Sequence, residues 1–149
     1  MATPYNDTLT GTVFDDYMDG ENGDDVLLGS TGSDILVGNN GNDVLHGFGG
    51  NAYEYDELYG GYGADSFYLG NSQYGDYYLG DGYAIIHDIY WQDGDKFIVG
   101  SDSSQYSLVT NTNLIGGTAL DTAIYKGGDL LAVVKDTTNV IASQDFMVG

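Results

Sequence analysis

Aspartates recur through the first part of this chain at a fixed interval. Asp7, Asp16, Asp25, Asp34 and Asp43 follow one another every nine residues, and each is followed two positions later by a large apolar residue, at Leu9, Met18, Leu27, Leu36 and Leu45. Glycines keep the same phase at Gly11, Gly20, Gly29, Gly38 and Gly47, and return three positions on at Gly23, Gly32, Gly41 and Gly50. Asp and Gly are both turn formers, but a turn needs no strict nine-residue phase. Carboxylates and the free carbonyls of glycine-rich turns are hard oxygen donors. Stacked on one another, such loops enclose an all-oxygen cage. That cage suits Ca²⁺, with its flexible six to eight oxygen ligands, better than Mg²⁺, which demands tight octahedral geometry.

The elements that position these loops follow from the same period. After Gly50 the register slips by the four residues Ala52-Tyr53-Glu54-Tyr55, then resumes at Asp56-Glu57-Leu58 and again at Gly60-Gly61-Tyr62-Gly63-Ala64-Asp65-Ser66-Phe67-Tyr68. A three-residue strand centred on the apolar position can point only one side chain inward. The glycine-rich stretch before it must turn sharply, which φ > 0 at glycine permits. Nine residues make half a coil, and eighteen return the chain to its starting sheet about 4.8 Å further along. The expected fold is all-β: a flattened, right-handed parallel β-roll over residues 1–68, with Leu9, Met18, Leu27, Leu36, Leu45, Leu58 and Phe67 as its interior ladder.

The unit Gly60–Tyr68 matches G-G-x-G-x-D-x-U-x at every specified position, the nonapeptide of RTX proteins. Over roughly residues 6 to 68 the chain resembles this hemolysin-type calcium-binding family. The resemblance implies Ca²⁺ held between loops one coil apart. Gly23 and Asp25 would face Gly38, Asn40 and Asp43. Asp16 would pair with Gly29, Thr31 and Asp34, with Gly32 in the same loop. Gly41 and Asp43 would face Gly60 and Asp65, and Asp7 would face Gly20, Asn22 and Asp25. Asp56 completes the set. Phe14 stands where a loop glycine is expected, and the four-residue insertion alters the loop leading to Asp56. Asp88, Asp93 or Asp95 is a further expected ligand.

Composition narrows the function. Among 149 residues, Lys and Arg number 3 against 23 Asp and Glu, a net charge of -20 at pH 7. Binding to nucleic acid or to an anionic membrane is excluded, because phosphate neutralisation needs cations this chain lacks. Cysteine is absent, so neither disulfides nor thiolate metal sites hold the fold. No apolar run is long enough for a transmembrane helix. The N-terminal residues have neither a basic n-region nor an apolar h-region, and do not read as a Sec signal.

Residues 69–149 read as a β-rich C-terminal cap. Strands are expected at Tyr83–Tyr90, Lys96–Val99, Gln105–Val109, Thr122–Tyr125 and Leu130–Val134, with Gly127-Gly128-Asp129 as a hairpin turn. Gly70 to Gly82 reads as an irregular ribbon with aromatic anchors. Ile86-His87-Asp88-Ile89 and Asp95-Lys96-Phe97-Ile98 resemble the region that follows RTX repeats in exported proteins. Asp145-Phe146-Met147-Val148-Gly149 resembles the signal read by type I secretion machinery; a final strand pairing with the cap is the other reading. No convergent catalytic group is found, so no enzyme is expected: His46 reads as a surface residue, and His87 and Asp88 point to opposite faces of one strand. The expected protein is extracellular, binds calcium and folds on it. The alternative is a self-assembling structural subunit, forming a homo-oligomer or filament through the open end of the roll.

Overall fold

The computed structural model describes residues 2–51 and 53–149. Each nonapeptide gives one short strand, three residues long except at Ile35–Asn40 and Tyr55–Tyr62, which run to six and eight. The strands fall alternately on two sheets. β1 (Thr8–Thr10), β3 (Val26–Leu28), β5 (Val44–His46) and β7 (Ser66–Tyr68) lie in parallel order on sheet A. β2 (Tyr17–Asp19), β4 (Ile35–Asn40) and β6 (Tyr55–Tyr62) lie in parallel order on sheet B. The register is that of a coil of eighteen residues: Leu9 stands opposite Leu27 and Leu27 opposite Leu45, while Met18 stands opposite Leu36. Leu27, Leu36, Leu45, Leu58 and Phe67 are fully buried between the sheets, Met18 is nearly so, and Leu9 at the open end is partly buried.

Parallel stacking does not stop at residue 68. After the small hairpin β8 (Gly70–Asn71) and β9 (Gly75–Asp76), β10 (Tyr83–Asp88) pairs in parallel with β6, and β11 (Lys96–Val99) with β7. The coils merely lengthen. The bond joining successive loops spans 18 residues from Asp25 to Asp43, 22 from Asp43 to Asp65 and 30 from Asp65 to Asp95. Phe97, Ile86 and Phe146 continue the buried ladder, so one core runs through both halves. The ends then close differently. Sheet A finishes on β15 (Phe146–Val148), parallel to β11, the final strand that is one of two readings of the C-terminal residues. Sheet B turns antiparallel through β14 (Asp129–Val134), β13 (Asp121–Lys126) and β12 (Tyr106–Thr112). The β13–β14 turn places Gly127 and Gly128 at φ of 62° and 105°, the doubly left-handed geometry that fits a two-residue hairpin. Ser103–Gln105 forms a 3-10 turn and Ala142–Asp145 one helical turn.

The ribbon between Gly70 and Gly82 is anchored by Tyr77 and Tyr78, both buried. This corrects the reading of His46 as a solvated surface residue. Tyr77 stands edge-on to its ring at 4.9 Å and Tyr68 lies at 5.7 Å, and burial lowers the imidazole pKa. Asp76 is tied to the C-terminal strands: Lys126 Nζ and the Tyr106 hydroxyl both donate to its carboxylate, as does the Gly100 N–H at 2.9 Å. Among the described residues no helix is long and apolar enough to cross a membrane.

Candidate metal centres

Every repeat aspartate ends a loop, and all but Asp56 are held through their N–H by one carboxylate oxygen of the next coil. Along sheet A the Asp7 N–H donates to Asp25 Oδ1 at 2.7 Å, Asp25 to Asp43 at 2.8 Å, Asp43 to Asp65 at 2.9 Å and Asp65 to Asp95 at 2.9 Å. Along sheet B, Asp16 donates to Asp34 at 2.9 Å and Asp34 to Asp56 at 2.8 Å. A second ladder runs one position earlier in the opposite sense. Asn6 Oδ1 accepts from the Asp24 N–H, Asp24 Oδ1 from Asn42, and Asn42 Oδ1 from Ala64. These ladders use Oδ1 and leave Oδ2 to decide the chemistry.

The Oδ2 atoms divide into two groups. Those of Asp25, Asp34, Asp43 and Asp65 are buried and have no hydrogen-bond partner. A buried carboxylate oxygen left unpaired is costly, and a cation relieves that cost. The other loops supply their own donors. Asp7 Oδ2 takes the Thr3 N–H at 2.6 Å and its hydroxyl at 2.8 Å, and Asp16 Oδ2 takes the same pair from Thr12 at 2.5 and 2.9 Å. Asp56 Oδ2 takes the Tyr78 hydroxyl at 2.5 Å. Asp95, outside the repeat, takes the Tyr90 N–H at 2.7 Å. Asp7, Asp16 and Asp56, expected as cation ligands, thus differ from the other four in having protein donors on Oδ2.

The backbone explains the division. In the four open loops the residue after the leading glycine is left-handed: Glu21 at φ 71°, Ser30 at 78°, Asn39 at 76° and Gly61 at 100°. That conformation goes with an N–H that does not reach the carboxylate. Thr3 and Thr12 hold this position in the closed loops and are not left-handed. A β-branched residue there would be strained.

Each open loop has a cradle that only glycine allows. A methyl group on Gly20 would lie 2.5 Å from Asp25 Oδ2 and 3.0 Å from the Gly38 carbonyl oxygen of the next coil. On Gly29 it would clash with Asp34 Oδ2 and lie 2.8 Å from the Gly47 oxygen; on Gly38 it would clash with Asp43 Oδ2 and lie 2.6 Å from the Gly60 oxygen. On Gly60 it would meet Asp65 Oδ2. At Gly20, Gly29 and Gly38 the carboxylate oxygen of one loop and the first carbonyl of the next thus face the same space. Among the described residues no three His, Cys, Asp or Glu side chains form a metal cluster, so a cation held here would take most of its donors from carbonyls. This all-oxygen set fits Ca²⁺.

The other expected ligands also take part in packing. Gly23, Gly32 and Gly41 are left-handed, and a Cβ on Gly41 would strike the Gly23 carbonyl, so they let loops stack. Asn22 and Asn40 pair with each other, Nδ2 of Asn40 donating at 2.9 Å, and the Asn40 carbonyl accepts the Gly23 N–H. A Cβ on Gly49 would strike the Ser30 carbonyl and the Thr31 backbone nitrogen. Asp88 accepts from the Gly60 N–H at 2.7 Å.

Burial pushes Asp34 and Asp43 up to about 6, and Asp65 and Asp56 up to about 7. Neighbouring carboxylates of the stack add to the rise at all four.

The RTX calcium-binding nonapeptide repeat, in four copies, matches residues 1–36, 28–51 and 55–72. The repeat region belongs to the RTX calcium-binding family. No curated protein sequence matches the chain. The chain is similar to the solution structure of the AlgE6R3 subunit of the Azotobacter vinelandii mannuronan C5-epimerase. Identity is 22%, coverage is 99% of this chain and 80% of that one, and the TM-score is 0.41. Within the RTX roll, Gly47, the left-handed residues Glu21, Ser30 and Asn39, and the sealing Tyr78 were not among the site residues expected from the sequence. The threonines were the available signal: Thr3 and Thr12 are the β-branched residues at a position that Glu, Ser, Asn and Gly fill in the open loops.

Proposed function

We propose that this RTX chain is an extracellular, non-catalytic module whose repeat folds when it meets calcium outside the cell, after export by a type I route. The observation that carries this reading is the set of four buried, unpartnered carboxylate oxygens at Asp25, Asp34, Asp43 and Asp65, each beside a glycine cradle. Bound Ca²⁺ supplies the positive charge that neutralises these stacked carboxylates. The chain's own part is to hold each Oδ1 in the ladder and turn each Oδ2 toward the next coil. A ligand that binds only the folded state stabilises it by mass action, so low calcium leaves the open-loop coils of the repeat unfolded. Both histidines are engaged in packing, His46 under Tyr77 and His87 stacked on Tyr59 at 4.1 Å, which supports a non-catalytic role. Circular dichroism with calcium and with excess chelator tests the folding step. An unchanged β spectrum in chelator would reject it, and secretion assays with Asp145–Gly149 deleted test the export step.

A second reading, a self-assembling structural subunit, is favoured by the open end of the roll. There β1 and β2 are edge strands, and Leu9, Tyr17, Met18 and Glu21 line a concavity of about 380 Å³. Edge strands with unpaired backbone are docking templates. Sedimentation in saturating calcium decides: a monomer at high concentration leaves the folding module standing alone.

A further inference from the structure

Resting on the calcium reading of the open loops, we propose that the Tyr78 hydroxyl takes the place of a cation at Asp56, making the cap-side coil of sheet B a calcium-independent template for the rest of the roll. At Asp56 the stack should offer another cation loop, since its carboxylate is fully buried and its Oδ1 accepts the Asp34 N–H like every other rung. Instead Tyr78, 22 residues on and only 1% exposed, delivers its hydroxyl to Oδ2 at 2.5 Å.

The surroundings are built for this bond. Tyr78 is left-handed at φ 56°, a conformation that strains a bulky residue and persists only where packing enforces it. The Phe48 ring packs against it at 5.1 Å. At Gly47 the three atoms nearest an added methyl all belong to Asp56, Oδ2, Cγ at 2.6 and Cβ at 2.7 Å, where Gly20, Gly29 and Gly38 also meet a carbonyl of the next coil. The insertion before Asp56 supplies Glu54, buried, which takes the Gly49 N–H at 2.9 Å and the Asn51 N–H at 3.1 Å. In the next coil Ala84 stands opposite Asp56, so the carboxylate ladder of sheet B ends here. Asp56 Oδ1 still holds the Asp34 backbone, and so presents a fixed rung to the first open loop of that sheet.

The test combines calcium stoichiometry by titration calorimetry with hydrogen exchange in chelator, on the whole chain. Asp43→Asn should bind one ion fewer than the wild type, and Asp56→Asn the same number. In chelator the wild type should keep slow exchange in β6, β10 and β14, and Tyr78→Phe should exchange at least about tenfold faster there, with protection restored by calcium. A lost ion in Asp56→Asn, or wild-type exchange in Tyr78→Phe, overturns the proposal. If Tyr78→Phe does not fold even in calcium, the Asp56→Asn stoichiometry decides alone. A wild type that binds no calcium overturns the calcium reading itself, a result separable from the other two.

Discussion

Asp43 holds the backbone of Asp25 with one carboxylate oxygen and leaves the other bare. The Asp25 N–H donates to Asp43 Oδ1 at 2.8 Å, while Asp43 Oδ2 is buried without a partner beside Gly38 and the Gly60 carbonyl. One side chain thus links two coils by a bond that needs no metal and offers a site that does.

That division of labour makes Gly38 as sensitive as Asp43. Gly38→Ala removes no ligand but puts a methyl in the space shared by Asp43 Oδ2 and the Gly60 carbonyl. Calorimetry should show one ion fewer than the wild type. With calcium about 100-fold above its Kd, losing one site costs about 2.7 kcal/mol of stability, measurable by urea unfolding in calcium. Unchanged stoichiometry would show that the cradle is not the site.

The loop backbone can be switched in the other direction. Thr12→Asn combined with Phe14→Gly permits the left-handed turn seen at Asn39 and Gly41 and withdraws the donors that now satisfy Asp16 Oδ2. The double variant should bind one ion more than the wild type. If the count does not rise, the handedness of this position is not what opens a loop.

Acidity should act with opposite signs in chelator and in calcium. Asp34 and Asp43 titrate at about 6 and Asp65 at about 7 in the ion-free roll, above the unfolded value of 3.8. The ion-free fold therefore binds more protons than the unfolded chain. Its carboxyl contribution is fully present below about 3.8 and is lost as pH rises through 6 to 7. Chelator-treated protein should be more structured at pH 5 than at pH 8. Calcium must displace those protons, so for a carboxyl titrating at about 6 affinity should be about tenfold weaker at pH 5 than at pH 7.5. Circular dichroism and calorimetry across this range check both signs.

The cap should be separable from the metal chemistry. Lys126 pairs with Asp76, whose side chain is 1% exposed. Lys126→Met leaves that carboxylate buried with the Gly100 and Tyr106 donors alone, a loss of about 3 kcal/mol. Thermal unfolding should show the cap destabilised while the number of bound ions stays unchanged.

Legibility in the sequence followed the range of the interactions. Leu27, Leu36 and Leu45 could be placed inside because a nine-residue phase fixes which residue of each strand faces in. Lys96–Val99 could be placed as a strand from its own alternation and turn. The continuation of both sheets through β10 and β11 could not, because Ala84 breaks the aspartate phase and the coils lengthen. The aspartates were visible as a class. Which of them keeps a free oxygen was not, since that depends on the backbone at Thr12 or Asn39 and on Tyr78 arriving from another coil. The Asp76–Lys126 pair joins residues 50 apart, with no local pattern to announce it.

Alternation between two sheets also sets the step by which this protein can grow. Duplicating nine residues would send every later strand to the opposite sheet, so β10 would meet the partners of β11 and the antiparallel end of sheet B would fall on sheet A. Duplicating eighteen, such as residues 20–37, restores the parity. The added coil receives its rungs from Asp25 and Asp34, lengthens the roll by about 4.8 Å and brings two open loops with it. Length in such a chain is quantised by topology, and viable insertions come in pairs of repeats.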